Sequence, residues 1–281
     1  MIIDGKHIAK KIKEEVKNEV LNLKSEGIFP GLAVVLVGDN PASQIYVNNK
    51  KKACEETGIS SEEYFLPKHT SQEDLIALIE KLNYDKTING ILTQLPLPPH
   101  INEFEVSSSI HEDKDVDVFN PKNIGKLILG KSRLMPCTPF GIIKMLEYSK
   151  IGIEGKNCVV IGRSNIVGKP MAHLLTQKNA TVTLCHSKTQ NISDICKNAD
   201  IIICAVGKLK FLTSDMVRKD TVVVDVGINR TTKGTVCGDV DFENVSKVAS
   251  YITPVPGGVG PMTIAMLMKN TVIATKIQNN K

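Results

Sequence analysis

The chain has 281 residues, of which 42% are hydrophobic and 23% charged, with a formal charge of +5. That length suits two domains, and that balance suits a globular rather than a disordered chain. No apolar run approaches the ~20 residues of a membrane helix, no basic run is interleaved with aromatics, and the seven cysteines are scattered without a C-x-x-C pair. The expectation is a cytoplasmic protein in a reducing compartment, with neither membrane nor nucleic acid as partner. The six histidines show no H-E-x-x-H spacing, so no metal is expected.

Asp4 is placed to cap a first helix whose apolar stripe runs Ile8, Ile12, Val16, Val20 and Leu23 and ends near Gly27. "LAVVLVG", from Leu32, is a short Val-rich run and reads as a buried strand. Ser43 to about Glu56 reads as a helix closed by Gly58, and "EYFLP" as a second strand. "SQEDLIALIEKLN" opens on the Ser71-x-x-Asp74 capping box and reads as a helix. "INGILTQLPLPPH" is a strand running into Pro96, Pro98 and Pro99. From Pro139 the alternation begins again: "PFGIIKMLEYS" a helix, "NCVVIG" a strand, "IVGKPMAHLLTQKN" a helix, then "ATVTLCH", "ADIIICAVG" and "TVVVDVGIN" as strands. A long helix, "GPMTIAMLMKNTVIATKIQ", closes the chain. Alternating strands and helices imply an α/β fold with parallel sheets in two domains, divided between residues 118 and 138.

"VVIGRSNIVGKP" follows a strand and opens a helix, the context a dinucleotide turn requires. Gly162 permits the tight turn and Gly168 close packing, so a pyrophosphate would meet free N–H groups at the helix N-terminus. Ser164 stands where a second glycine is usual. An NAD site carries an acidic residue about 20 positions on; here "LCHSKT" offers His186, Ser187 and Lys188 instead, with Arg163 in the turn. That set favours NADP.

Tyr46 and Lys50, four residues apart in "SQIYVNNKKK", would share one helix face. A Tyr-x-x-x-Lys pair also serves short-chain dehydrogenases, but there the cofactor turn precedes it. Alone, the pair reads better as a solvated face. Gln94 at the end of a strand, Asp117 in "KDVDVF" and the loop "TPVPGGVGPMT" lift it.

With "GDNPASQIYVNNK", "GILTQLPLP", "DKDVDVFNP", "PCTPFGI", "GRSNIVGKP", "CHSKT", "DVGIN" and "TPVPGGVGPMT" in this order, the whole chain resembles the bifunctional methylenetetrahydrofolate dehydrogenase/methenyltetrahydrofolate cyclohydrolase family. The resemblance implies a homodimer acting on tetrahydrofolate derivatives in one-carbon metabolism, upstream of purine biosynthesis. It implies a folate-side domain over 1–120, a Rossmann-type NADP domain over 139–260, and a C-terminal helix, 261–281, packing back on the first domain, with folate bound in a cleft between the two. By resemblance Lys50 is the central catalytic residue, Gln94 orients it, Tyr46 stacks on the folate and Asp117 bonds the pterin. Pro256, Gly257, Gly258, Val259 and Gly260 line the folate site, and Gly162, Arg163, Ser164, Ser187 and Ile228 contact NADP. The reactions implied are oxidation of the methylene bridge by NADP+ and hydrolysis of the methenyl product, with Lys50 as base. A monofunctional dehydrogenase and a non-catalytic NADP- or folate-binding regulator are the alternatives. One departure stands out: Val118 follows Asp117 where the family has Gly. A β-branched residue disfavours φ > 0, so a differently shaped loop is expected around Asp117. Cys137, Cys185 and His186 read as supporting residues without a catalytic role.

Overall fold

The structure, a computed structural model, describes residues 1–230 and 234–281. The chain divides into two compact units, Lys10–Cys137 with Ile264–Lys281, and Met1–Ala9 with Thr138–Thr263. Helix α1 (Gly5–Ser25) starts where expected, with Asp4 accepting the His7 N–H at 3.0 Å.

The unit that carries residues 10–137 contains strands β1 (Gly31–Val37), β2 (Ser60–Leu66) and β3 (Gly90–Thr93) in a parallel sheet of order β2-β1-β3. β1 is central and buried on both faces, which explains its unbroken apolar sequence. Helices α2 (Pro41–Thr57), α3 (Gln72–Tyr84), α4 (Glu103–Ser109) and α5 (Pro121–Ile128) complete the run. Asn40 caps α2 by accepting from Ala42 and Ser43, Pro41 fills the first turn, and Gly58 ends the helix at φ 78°. Ser71 caps α3 as its box predicts, accepting the Asp74 N–H at 3.1 Å. Leu75, Ile79 and Leu82 on α3 pack with Ala33, Val35, Ile91, Val106 and Ile110 into one core. The short α4 and α5 carry too little periodicity to be read from sequence.

A single parallel bridge, Ile91 to Asp115, lays residues 114–117 beside β3, and the Ile91 N–H reaches the Lys114 carbonyl at 2.8 Å. Gly90 makes room, since a Cβ there would meet the Val116 side chain at 2.7 Å. Lys114 is buried, and its ammonium group donates to the carbonyls of Leu82 (2.9 Å) and Asp85 (2.6 Å) at the end of α3.

The other unit holds α6 (Cys137–Tyr148), β4 (Asn157–Ile161), α7 (Gly168–Gln177), β5 (Thr181–Cys185), α8 (Ile192–Lys197), β6 (Ile201–Cys204), β7 (Val222–Asp225), β8 (Asn229–Arg230), β9 (Val236–Cys237), α9 (Phe242–Val245) and β10 (Tyr251–Ile252). Its sheet is parallel in the order β10-β7-β6-β4-β5, and β8 and β9 form a separate antiparallel hairpin. Counting only the sheet's own strands, the order is 5-4-3-1-2. It reverses between β4 and β6, where open α/β sheets bind ligands at the carboxyl ends of their strands. Residues 1–3 extend the β10 edge: Ile3 N–H bonds Ile252, and Ile252 N–H bonds Met1, both at 2.9 Å.

Helix α10 (Val259–Gln278) contributes its residues from Ile264 onward to the first unit. There Glu19 of α1 pairs with Lys269 and, at 2.6 Å, Lys276. The buried Asn270 donates through Nδ2 to the carbonyls of Val116 (2.8 Å) and Met135 (2.7 Å). No described helix is long and apolar enough to cross a membrane. Asn270→Leu would take the amide donor from the Met135 carbonyl and leave the Val116 carbonyl only the Cys137 thiol, so it should lower unfolding free energy by about 1–2 kcal/mol, read as an earlier midpoint in urea.

Candidate functional site

Two groups of expected residues take shape, one in each unit. In the first, α2 presents Tyr46 and Lys50 one turn apart, both half-buried. Gln94 continues β3, with its N–H on the Val35 carbonyl at 2.8 Å, so the sheet fixes where its side chain starts. Lys50 Nζ donates to Gln94 Oε1 at 2.8 Å, and Gln94 Nε2 donates to the Leu95 carbonyl at 2.7 Å. The amide is thereby fixed with its oxygen toward the amine. Among the described residues no hydrogen bond joins Tyr46 to Lys50, and the amine is held by Gln94.

Burial pushes the Lys50 amine below the ordinary lysine value, and the Asp117 carboxylate is the largest influence opposing that shift. Asp117 is itself pushed up by burial, against the attraction of Lys50 and the Cys137 thiol. Desolvation thus drives both members of the pair toward neutrality while their mutual attraction resists it. Cys137 donates to the Val116 carbonyl at 3.3 Å, and burial raises its thiol well above the usual range. It is a packing group, as its sequence setting suggests, because a nucleophilic thiol needs the opposite shift.

The loop around Asp117 keeps a left-handed turn in spite of Val118. That residue has φ +64° and is 0% exposed. The expectation of a reshaped loop is corrected: a β-branched residue occupies the conformation that glycine favours. Asp115, buried one residue before Val116, explains how. Its carboxylate accepts the N–H groups of Phe119 (3.1 Å) and Asn120 (2.9 Å) and the Asn123 amide (2.9 Å). Burial still raises its pKa, to about 6, against these donors. Sequence reasoning passed over Asp115; its signal was the first acid of "DVDVF".

In the second unit the turn after β4 requires its glycines. A Cβ on Gly162, at φ 119°, would meet the Ala205 carbonyl oxygen at 2.1 Å, and one on Gly168 would meet the Gly162 oxygen at 2.0 Å. The expectation that the first turn of α7 offers free N–H groups is corrected. Ser164 Oγ accepts from Val167 (3.2 Å) and Gly168 (3.3 Å), Lys169 N–H bonds the Ser164 carbonyl (3.1 Å), and Pro170 has no N–H. The unpartnered donors, among the described residues, are those of Arg163, Ser164, Asn165 and Ile166 in the turn itself. Such a run of free N–H groups makes an anion-binding concavity. Arg163 is exposed without an ion pair among the described residues, and Ser187 and Lys188 are exposed just beyond β5, the strand beside β4. These groups fit an anionic dinucleotide. Ile228 is 51% exposed on the loop after β7.

Residues 256–260 lie in this unit, 256–258 between β10 and α10, with Val259 and Gly260 opening α10. Gly257 sits at φ 110°, and its carbonyl accepts the Lys6 N–H at 3.0 Å. A Cβ on Gly258 would meet the Pro254 oxygen at 2.5 Å. Pro256 is exposed and Gly260 half-buried, but Val259 is buried.

Two further carboxylates were missed. Asp225, at the end of β7, accepts N–H groups from Gly227 (3.0 Å), Asp239 (2.9 Å) and Val240 (3.0 Å). Asp239 accepts from Val206 (2.7 Å), Gly207 (2.9 Å) and the Asn229 amide (2.8 Å). Their only sequence signal is an acid near glycine in "DVGIN" and "CGDVD".

A left-handed φ costs a non-glycine residue about 1–2 kcal/mol. Val116 and Val118 are both 0% exposed, so Val118→Gly should cost about 1–2 kcal/mol less than Val116→Gly. Equal losses in urea unfolding would show that Val118 carries no strain.

Models of known families match the chain in two parts: the tetrahydrofolate dehydrogenase/cyclohydrolase catalytic domain over residues 3–117, and the NAD(P)-binding domain of the same family over 136–279. The chain is 60% identical to the bifunctional protein FolD of Caldicellulosiruptor saccharolyticus, across 97% of this chain and 99% of that one. It is 58% identical to that of Acetivibrio thermocellus, across 99% and 97%. Among solved structures, the bifunctional dehydrogenase/cyclohydrolase of Campylobacter jejuni superposes with a TM-score of 0.97 at 55% identity, covering 99% of each chain. The Trypanosoma brucei enzyme, solved with NADP and an inhibitor, gives 0.96 at 37% identity, covering 100% of this chain and 99% of that one. With both domains matched in order along one α/β chain, the protein belongs to the tetrahydrofolate dehydrogenase/cyclohydrolase family.

Proposed function

We propose that the chain oxidises 5,10-methylenetetrahydrofolate to 5,10-methenyltetrahydrofolate with NADP+ and hydrolyses the product to 10-formyltetrahydrofolate. The observation that carries this reading is the desolvated Lys50 amine, fixed by Gln94 and opposed by Asp117, in a chain matched end to end by bifunctional relatives. The folate chemistry is assigned to the unit bearing Lys50, and the cofactor to the unit bearing the Gly162 turn.

When bound, NADP+ supplies the acceptor for the hydride that leaves the methylene bridge. Oxidation needs no base, so the protein's part in it is placement of the two reactants. Tyr46 stacks on the folate, and Asp117 bonds the amino-pyrimidine edge of the pterin. Residues Pro256, Gly257, Gly258, Val259 and Gly260 line the folate with backbone. The N–H groups of Arg163 and Ser164 receive the pyrophosphate beside Gly162, while the Arg163 guanidinium and the Ser187 hydroxyl receive the 2′-phosphate. Ile228 packs on the cofactor's apolar face. Hydrolysis does need a base. Burial lowers the Lys50 pKa, which raises its neutral fraction near neutral pH, and Gln94 Oε1 accepts a hydrogen bond from the amine, leaving the amine lone pair to take a proton from water. The cationic methenyl bridge favours the neutral amine further.

The chain is also assigned as a homodimer, on the family resemblance, and sedimentation equilibrium at micromolar concentration tests this. Its seven free cysteines, six of them buried, support a reducing, cytoplasmic setting. A second reading is a dehydrogenase without the hydrolytic step, which would form NADPH and leave the methenyl product unopened. Separate assays of NADPH formation and methenyl hydrolysis decide between the two.

Lys50→Met should slow hydrolysis by roughly 100- to 10,000-fold and oxidation by less. In the unaltered enzyme hydrolysis should rise with pH through a value below that of ordinary lysine, and the variant should lose that limb. Hydrolysis that persists while oxidation disappears would remove Lys50 as the base. Arg163→Ala should weaken NADP by about tenfold or more and NAD much less; equal losses in titration calorimetry would take the 2′-phosphate away from Arg163.

A further inference from the structure

Asp225 and Asp239 form a buried acidic pair, 2% and 0% exposed, with no cation bonded to either among the described residues. Six donors meet their oxygens instead, five of them backbone N–H groups. The glycines between them are obligatory. A Cβ on Gly227 would fall 2.2 Å from Asp239 Oδ1, and one on Gly238 would fall 1.8 Å from Asp225 Oδ2. With its oxygens already committed to N–H donors, the pair is unsuited to a metal. It holds chain segments.

The segments it holds lie at the carboxyl ends of β6 and β7. Residues 205–207 follow β6, next to the Gly162 turn across the point where strand order reverses. Residues 226–229 follow β7. A dinucleotide whose phosphates lie on that turn and whose adenosine end lies beyond β5 extends its other end across the reversal, toward β6 and β7. The N–H groups of Val206, Gly207 and Gly227 are turned inward onto the two carboxylates. Their carbonyls accept no bond among the described residues, and a nicotinamide carboxamide needs such acceptors.

We propose that Asp239, braced by Asp225, is a positioning residue for the nicotinamide end of NADP: it orients residues 206–207 and, through Asn229, the loop that carries Ile228. The inference rests on the cofactor reading above.

The test is binding, independent of turnover. NADP carries both ends of the cofactor, and adenosine 2′,5′-bisphosphate only the adenosine end. Asp239→Asn keeps an oxygen for Val206 and Gly207 but sets its NH2 against the Asn229 NH2. Its dissociation constant for NADP should rise about tenfold, with that for the bisphosphate unchanged. Adding Asn229→Asp restores a donor–acceptor pair and should recover NADP affinity. Should Asp239→Asn not fold, Asn229→Asp alone, which faces Asp239 with a second carboxylate from the half-exposed side, should show the same selective loss. Equal weakening of both ligands, or unchanged NADP binding, would overturn the proposal. Failure of the unaltered chain to bind either ligand would instead overturn the cofactor reading beneath it.

Discussion

Removing an amine from water is the constraint around which the first unit is organised. A buried ammonium is costly unless paired, and one paired too well would never give up its proton. Lys50 is held between these limits. Gln94 offers a neutral acceptor and Asp117 a carboxylate that burial has itself weakened. Each part of that balance comes from the sheet. β3 delivers Gln94 at its end, and the bridge from Ile91 to Asp115 delivers the acid alongside. The buried Lys114 and Asn270 then secure the segment from either side by satisfying carbonyls.

Both units also anchor a functional loop in one way. A buried carboxylate gathers backbone N–H groups that no strand or helix would satisfy: Asp115 for residues 119–120, Asp225 for 227 and 239–240, Asp239 for 206–207. Burial raises Asp115 and Asp225 to about 6 even so, which means desolvation outweighs the donors. Each therefore favours the folded state most in acid, below the unfolded value near 3.8, and this contribution is lost as pH rises through about 6. These carboxylates are retained at some cost in stability near neutrality, in return for loops with one shape.

Much of the architecture was legible in the sequence because it follows from period and caps. Asp4, Ser71 and Gly58 act at the helix ends their types suggest, and the Val- and Ile-rich runs are buried parallel strands. Lys50 and Gln94 were legible only through resemblance, since nothing in their spacing says that residues 44 apart meet. The carboxylate anchors left only a faint signal, an acid beside glycine or a second acid, because most of their partners are backbone groups common to every residue. The turn after β4 was half legible: glycine marks the bend, but Ser164 capping its own helix from inside the turn moves the free donors upstream. The two-residue strands β8 and β9 are too short to carry a period.

Neither unit is a continuous piece of chain, and this bears on how the protein reaches its fold. The amino group of Met1 bonds the Ser250 carbonyl across 249 residues, and Glu19 pairs with Lys269 across 250. Each unit thus closes through contacts of very high sequence separation, the kind whose loop-closure entropy slows folding. Residues 10–137 alone would leave the Val116 and Met135 carbonyls without Asn270 and an apolar face without α10. A fragment cut at the family's own domain boundary would therefore expose hydrophobic surface and be prone to aggregate. The two activities are carried on one chain whose parts cannot be separated by cutting it once.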